Sequence, residues 1–205
     1  MTENKNHWYD GWFYDKIIAP NQDKLFSQIK SLIEPDSEII DVGCGTGRLA
    51  FTLADKSKSV LGIDLSKRNI HRANLTLLRH PDDKILFQHN NLSKLSCNGN
   101  VHFDFAILTY VIHEINAEER VNLLTDIARV SDKIIVGDYP VPRPKGIGSF
   151  LSELIEFAAG REHYINYKSY MANGGVYDLA DKAGLKIIDE IKNGSFSNHI
   201  VVLTK

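Results

Sequence analysis

The sequence of 205 residues has little cysteine and no long apolar run. Its two cysteines, Cys44 and Cys97, are too few for a disulfide framework or for a zinc site of four thiolates. No run of about 18 apolar residues occurs, so no membrane span is expected. The first residues, MTENKNHWYDGWFYD, have no apolar segment of the kind that a signal peptide needs. Together these features predict a cytoplasmic protein.

The sequence also has little net charge. Its 24 basic and 26 acidic side chains leave a formal net charge of -2, so a broad cationic face for nucleic acid is not expected. The eight histidines show no His-Glu-x-x-His spacing, and no metal site is predicted. Apolar residues make up 43% and charged residues 24%, which excludes a disordered chain or a coiled-coil rod.

Patterns typical of strands and helices alternate along the chain. The short apolar runs that predict strands are residues 38–42, 60–63, 84–88, 103–111 and 133–137. Helical spacing separates most of these runs, which predicts a parallel sheet with right-handed crossovers. Two later runs, 185–191 and 199–203, are joined too tightly for a crossover helix. They therefore predict an antiparallel hairpin.

Helices are predicted where apolar residues recur at three and four positions. These segments are residues 21–34, 48–56, 147–159 and 176–183. Two further helices are marked by their first residues. Ser66 is a typical cap residue, and Asn116 with Glu119 has the spacing of a capping box. After residue 160 a tyrosine-rich connection is expected.

The most informative stretch is a glycine turn after the first predicted strand, Asp41-Val42-Gly43-Cys44-Gly45-Thr46-Gly47. Glycines let the backbone approach a ligand closely, and the next helix offers free N–H groups. The third glycine comes one residue too early for the Gly-x-Gly-x-x-Gly fingerprint of dinucleotide-binding proteins. No Gly-Lys-Ser or Gly-Lys-Thr follows, which excludes a phosphate loop. Asp64 ends the second strand, 21 residues after Gly43, where a carboxylate suits a ribose diol.

Asp-Val-Gly-Cys-Gly-Thr-Gly resembles the first motif of the class I S-adenosylmethionine-dependent methyltransferases, and the similarity extends over roughly residues 35–140. The resemblance implies an α/β fold, a three-layer, doubly wound, Rossmann-like sheet of seven strands whose last strand is antiparallel. It also implies S-adenosyl-L-methionine as the cofactor and S-adenosyl-L-homocysteine as the product.

The same resemblance implies roles for individual residues. Asp64 would hold the ribose hydroxyls and Leu65 would lie against adenine, while Asp41 would orient the glycine loop or the amino group of the cofactor. The other implied cofactor contacts are Gly43, Gly45, Gly47, Asn91, Leu92, Thr109, Tyr110 and Tyr14. The pair Asn91-Leu92 stands where the family often has an aspartate followed by a hydrophobic residue.

Two segments have no place in the predicted sheet, residues 1–20 and 140–175. The first contains five aromatic residues between Trp8 and Tyr14, and the second begins with three prolines in five residues. In this family such segments cover the cofactor or the substrate. The chain is therefore interpreted as one domain, residues 1–205, with the two segments as a candidate substrate cap, in which Trp12 or Tyr14 closes the site.

A catalytic base is needed only where the acceptor carries a proton, because the sulfonium already makes the methyl group electrophilic. His113, just past the fourth strand, and His163 are the candidates, since histidine titrates near neutral pH. Glu114 would either orient an imidazole or face solvent. Tyr164 would either touch the substrate or pack in a polar loop.

The sequence favours an enzyme that methylates an oxygen, nitrogen or carbon atom of a small soluble metabolite. The Asn/Asp-Pro-Pro-Tyr loop used on nucleic-acid amines is replaced by Leu-Thr-Tyr-Val, which disfavours a nucleic-acid substrate. Two alternatives stay open, a non-catalytic S-adenosylmethionine-binding protein and a nicotinamide-dependent oxidoreductase on a related fold. No pattern indicates an oligomeric state.

Overall fold

The computed structural model describes residues 19–92, 101–193 and 198–205. In these residues the strands are β1 Ser37–Val42, β2 Ser57–Asp64, β3 Ile85–His89, β4 Phe103–Thr109, β5 Ser131–Asp138, β6 Lys186–Lys192 and β7 His199–Thr204. The helices are α1 Ala19–Leu32, α2 Arg48–Leu53, α3 Lys67–Arg79, α4 Ala117–Val130, α5 Ile147–Ala159, α6 Arg161–Ala172 and α7 Gly175–Lys182. None of these helices of the described residues is long and apolar enough to cross a membrane.

The seven strands form one sheet in the order β3-β2-β1-β4-β5-β7-β6. Strand β7 runs antiparallel to β5 and β6, and the other neighbours are parallel. This arrangement confirms the predicted doubly wound sheet and its antiparallel last strand. The strand order reverses between β1 and β4, so a ligand is expected at the carboxyl ends of these two strands.

Strand β4 shows why a central strand of the sheet is formed by a continuous run of apolar residues. Phe105 and Ile107 pack with residues of α1 on one face of the sheet. Ala106 and Leu108 pack with residues of α4 on the other face. Successive strand residues point to opposite faces, and helices cover both faces here, so apolar side chains are needed at every position. The ends of the central strands therefore stand on a frame that is packed on both sides.

Helix α6 corrects the irregular connection that was expected after residue 160. It covers Arg161–Ala172, and Gly160, whose φ is 128°, separates it from α5. Tyr167 and Tyr170 on this helix are each 1% exposed and pack in the core. The expectation is wrong because α6 buries tyrosines, which are weaker helix formers than the aliphatic residues of a typical amphipathic helix.

The two predicted helix caps have different outcomes. The Ser66 hydroxyl accepts a hydrogen bond from the backbone N–H of Asn69 at 3.2 Å, which confirms the first. The capping box at Asn116 is wrong, since its side chain makes no cap hydrogen bond. Its Oδ1 instead accepts from Nδ2 of Asn166 at 3.3 Å and so connects the start of α4 to α6.

Arg120 is a buried arginine that strengthens the connection between α4 and α6. Its side chain is 2% exposed, with Nε donating to the Ile115 carbonyl at 2.9 Å and Nη2 donating to the Asn166 carbonyl at 2.6 Å. The guanidinium also lies 5.7 Å from the ring centroid of Tyr170. A buried charge is stable only where such partners meet it. Arg120 therefore fixes α6 against the loop between β4 and α4.

We predict that Gly47→Ala lowers the free energy of unfolding by about 2–5 kcal/mol, the sum of left-handed strain and overpacking. Gly47 has a φ of 85°, and a methyl group there would overlap the ring of Phe87. Gly184→Ala is the matched control, since its φ is 69° but no atom lies within 4 Å. Urea unfolding of both variants measures the difference. Equal losses would show that Phe87 does not restrict this position.

Candidate active site

The glycine loop, residues 43–47, leaves β1 at the point where the strand order reverses. A side chain at Gly43 would collide with Val111, and one at Gly47 would collide with Phe87. At Gly45, whose φ is 55°, no atom lies within 4 Å of the position that a Cβ would take. The backbone at Gly45 therefore faces open space, as a close approach to a ligand requires.

Asp64, the last residue of β2, fixes the glycine loop from one side. Its Oδ2 accepts a hydrogen bond from the Gly45 N–H at 2.9 Å, and its Oδ1 accepts from the Ser66 N–H at 2.7 Å. A carboxylate has about four lone-pair sites, so two remain for hydroxyl donors of a ligand. Leu65 beside it is 74% exposed. The predicted ribose and adenine contacts thus lie together next to the open backbone.

Asp41, on β1, is a buried carboxylate. It is 0% exposed, and neither of its side-chain oxygens has a hydrogen-bond partner within the described residues. Burial, and then the charge of Asp64, raises its pKa to about 7. Because an unpaired buried carboxylate is costly, a cationic group of a ligand would stabilise this position. An open backbone, an acceptor for a diol and an acceptor for an amine together fit S-adenosylmethionine.

The remaining predicted cofactor contacts lie near the ends of β3 and β4. Asn91 is exposed, whereas the Leu92 side chain is 4% exposed and packs in the core, so only the backbone of Leu92 is available to a ligand. Thr109 ends β4, and Tyr110 follows with a φ of 55°. A non-glycine residue with this φ is strained, and such strain concentrates at functional sites. Tyr14 lies outside the described residues.

A buried polar cluster follows Tyr110 and consists of His113, Asp138, Tyr139, Glu156 and His163; we call it the histidine cluster. Nδ1 of His113 donates to Oδ1 of Asp138 at 2.7 Å, and the Tyr139 hydroxyl donates to Oε1 of Glu156 at 2.6 Å. Nε2 of His163 lies 2.5 Å from Oε2 of Glu156. The His113 and His163 ring centroids are 5.7 Å apart. The structure therefore brings the two predicted catalytic histidines together.

The carboxylates determine the charge of the histidine cluster. Burial disfavours protonated His113, but Asp138 and Glu156 outweigh it and raise the pKa well above its ordinary value. Burial also disfavours ionised Glu156, but His113 and His163 hold the pKa of Glu156 below its usual range. A histidine that is 1% exposed and ion-paired differs from the accessible base expected at His113. The more exposed member is His163, whose side chain is 23% exposed.

Residues 110–113 join the glycine loop to the histidine cluster. Val111 lies against Gly43, and the ring centroid of Tyr110 is 5.7 Å from that of Tyr139. His113 enters the cluster two residues after Val111. Both features therefore lie at the same edge of the sheet, on either side of one short loop.

Comparisons with known proteins find that this chain is similar to methyltransferases. Residues 39–133 match the family described as a methyltransferase domain. The protein described as "Probable cobalt-precorrin-6B C(15)-methyltransferase (decarboxylating)" of Methanobrevibacter smithii is 38% identical over 53 residues. That match covers 22% of this chain and 28% of the relative, so it spans about a quarter of the relative's length.

Solved structures show the same fold. Magnesium protoporphyrin IX methyltransferase from Synechocystis PCC 6803 with S-adenosylhomocysteine has a TM-score of 0.70 and 18% identity, covering 96% of this chain and 90% of that chain. Mitomycin 7-O-methyltransferase has a TM-score of 0.69 and 14% identity, covering 94% and 56%. The N-methyltransferase NodS of Bradyrhizobium japonicum has a TM-score of 0.67 and 12% identity, covering 96% and 92%. By this family match and this fold, the chain is similar to the class I S-adenosylmethionine-dependent methyltransferases.

The family match and the shared fold agree with the S-adenosylmethionine-dependent methyltransferase that the glycine motif predicts. The structure confirms the predicted doubly wound fold. The nicotinamide-dependent oxidoreductase and the non-catalytic binding protein find no support in the comparisons.

The two other residues singled out from the sequence, Glu114 and Tyr164, lie in different surroundings. The Glu114 side chain is 52% exposed, and its Oε1 lies 4.0 Å from Nε2 of His113 and 3.9 Å from Nε2 of His163. It therefore faces both histidines from the solvent side. The Tyr164 hydroxyl donates to Oε1 of Glu153 at 2.9 Å, outside the histidine cluster.

Three residues of the candidate site, Asp138, Tyr139 and Glu156, were not predicted from the sequence. Asp138 ends β5 and Tyr139 follows it, at the same sheet edge as the glycine loop, and this position could have indicated them. Glu156 is 4% exposed within the apolar helix α5. An acidic residue on the buried face of a helix is rare unless it is paired, which also indicates a special role.

A separate groove of about 720 Å³ lies between the proline loop 140–145 and the edge formed by Tyr177, Lys192 and His199. Its lining includes no residue of the glycine loop or of the histidine cluster. The groove is therefore distinct from the cofactor position expected beside the glycine loop.

We predict that Asp41→Asn flattens the pH dependence of stability of the cofactor-free protein. The folded pKa of about 7 exceeds the ordinary aspartate value, so the stability that Asp41 contributes is complete below about pH 4 and is lost as pH rises through about 7. Between these limits, wild type should lose up to about 1.4 kcal/mol per pH unit relative to the variant. Urea unfolding at several pH values between 4 and 8 measures this, and parallel curves would contradict it.

Proposed function

We propose that this methyltransferase transfers a methyl group from S-adenosylmethionine to a small soluble molecule in the cytoplasm. The observation that carries the proposal is the open backbone at Gly45, bonded to the Asp64 carboxylate, together with the unpartnered buried carboxylate of Asp41 on the preceding strand. This arrangement offers a close approach for the cofactor chain, acceptors for a diol and a partner for an ammonium group.

The relatives support a small acceptor. The names of two structural neighbours specify magnesium protoporphyrin IX and mitomycin, and the name of the curated relative specifies a cobalt-precorrin. The net charge of -2 argues against a nucleic-acid backbone as the acceptor. These observations favour a metabolite that enters the site as a free molecule.

In the proposed complex, the ribose hydroxyls bind Asp64 and adenine lies against Leu65. The ammonium group lies near Asp41, and the backbone of Thr109 and Tyr110 contributes acceptors. Gly43, Gly45 and Gly47 shape the loop, while Asn91 and the backbone of Leu92 lie at the adenine edge. The exposed surface of Leu65 and the orphaned oxygens of Asp41 support this placement.

When bound, the cofactor supplies an electrophilic methyl carbon, which joins an acceptor lone pair as the carbon–sulfur electrons return to sulfur. The chain must hold the acceptor in line and exclude water, and such alignment supplies roughly 7–11 kcal/mol. We assign the acceptor side to His113 and His163, because their cluster lies beyond Tyr110 at the same sheet edge. Helices α5 and α6, within the 140–175 segment, carry Glu156 and His163 and would cover the acceptor.

We predict that Asp64→Ala weakens S-adenosylhomocysteine binding at least about 100-fold, because two hydrogen bonds to a charged carboxylate are worth about 3 kcal/mol or more. Asp189→Ala, which removes an exposed carboxylate from the far edge strand β6, should bind as wild type does. Isothermal calorimetry measures both affinities, with thermal unfolding as the check of folding.

A folded Asp64→Ala protein that binds S-adenosylhomocysteine normally would refute the proposed cofactor position. Incubation of wild type with S-adenosylmethionine and fractionated small-molecule extract should produce S-adenosylhomocysteine in at least one fraction. Tight binding of NAD without binding of S-adenosylmethionine would refute the function itself.

A further inference from the structure

Four side chains at the acceptor end of the site converge from three segments of the chain. His113 and Glu114 come from the loop before α4, Glu156 from α5 and His163 from α6. One ligand atom each from His113, Glu114 and His163 lies within 4.8 Å of the other two. Oε2 of Glu156 lies 3.6 Å from Nε2 of His113 and 2.5 Å from Nε2 of His163. Glu156 therefore lies against both imidazoles, and Glu114 faces the same two imidazoles from the solvent side.

Nε2 of His113 is buried and makes no hydrogen bond with any described residue. Oε2 of Glu156 lies 3.6 Å from it, too far for a good hydrogen bond, and is ion-paired with His163 instead. A buried polar atom without a partner is destabilising. A cation bound between the two imidazoles and Glu156 would give Nε2 of His113 a partner.

The other polar atom of each side chain, Nδ1 of His113 and Oε1 of Glu156, already has a hydrogen-bond partner. Nδ1 of His113 donates to Oδ1 of Asp138 at 2.7 Å, so in the neutral ring the lone pair on Nε2 points toward Glu156. Oε1 of Glu156 accepts from the Tyr139 hydroxyl at 2.6 Å, so Oε2 is the oxygen that faces the two imidazoles. Metal-binding histidines usually donate their second N–H to a carboxylate or carbonyl, as His113 does here.

We propose that His113, Glu156 and His163 bind a divalent transition-metal ion, and that Glu114 completes the site from the solvent side. Imidazole nitrogens combined with carboxylate oxygens suit ions such as Zn²⁺, Fe²⁺ and Mn²⁺. Tetrahedral ligands with bonds of about 2.1 Å lie about 3.4 Å from one another. The separations between imidazole nitrogens and carboxylate oxygens, from 2.5 to 4.0 Å, lie on both sides of that value, so these side chains would rotate when an ion binds.

The catalytic consequence rests on the proposed function. A metal at this position would hold an acceptor oxygen next to the methyl donor and lower the pKa of its hydroxyl group. The acceptor's proton then leaves to water, its oxygen lone pair forms the bond to the methyl carbon, and the carbon–sulfur pair stays on sulfur. The inference therefore selects hydroxyl-bearing acceptors that can coordinate a divalent ion.

The test is a titration of chelator-treated protein with Zn²⁺ by isothermal calorimetry and with Co²⁺ by visible absorption. Wild type should bind one equivalent of Zn²⁺ and show the d–d bands of a low-coordinate cobalt site. His163→Ala and Glu156→Gln should each weaken Zn²⁺ binding at least about tenfold. His102→Ala is the matched control, because Nε2 of His102 pairs with Asp132 at 2.9 Å on the exposed surface, and it should bind as wild type does.

Absence of saturable Zn²⁺ binding in wild type would overturn the inference and would leave an ion-paired cluster of protonated histidines. Unchanged affinity in His163→Ala and Glu156→Gln would overturn it as well. Thermal unfolding checks each variant, and Glu114→Gln replaces Glu156→Gln if that protein does not fold. Calorimetry with S-adenosylhomocysteine on the same samples separates the two proposals, since cofactor binding without metal binding contradicts only the metal site.

Discussion

The arrangement of the site depends on the hydrogen bonds that the Asp138 carboxylate accepts. It is 2% exposed at the end of β5 and accepts hydrogen bonds from Nδ1 of His113 and from the Tyr139 N–H, each at 2.7 Å. A buried carboxylate is stable only when donors surround it, so this group draws the loop after β4 onto the end of β5. The same loop then places Val111 beside Gly43 and turns Nε2 of His113 toward Glu156.

The proposed cofactor end and the proposed acceptor end of the site are built in different ways. Asp41, Asp64 and the glycine loop belong to strands that are packed on both faces, so their positions follow from the core. Glu156 and His163 stand on α5 and α6, which lie outside the sheet and are fixed to it by contacts such as those of Arg120. Because these helices can change without changing the sheet, the choice of acceptor is best encoded there.

The parts of the protein that the sequence predicts are those with local patterns. The glycine motif, the apolar runs and the cap at Ser66 each depend on neighbouring residues, and they predict the fold that the structure has and the family that residues 39–133 match. The histidine cluster depends on residues 113, 138, 156 and 163, which only the tertiary structure brings together. Helix α6 was missed because its buried face is made of tyrosines.

The most direct test of this account is a crystal structure of the full chain with S-adenosylhomocysteine. The account predicts the ribose hydroxyls on Asp64, the amino group beside Asp41, and the sulfur directed toward the histidine cluster. A nucleoside in the groove beside the proline loop 140–145, or a sulfur directed away from His113 and His163, would contradict it.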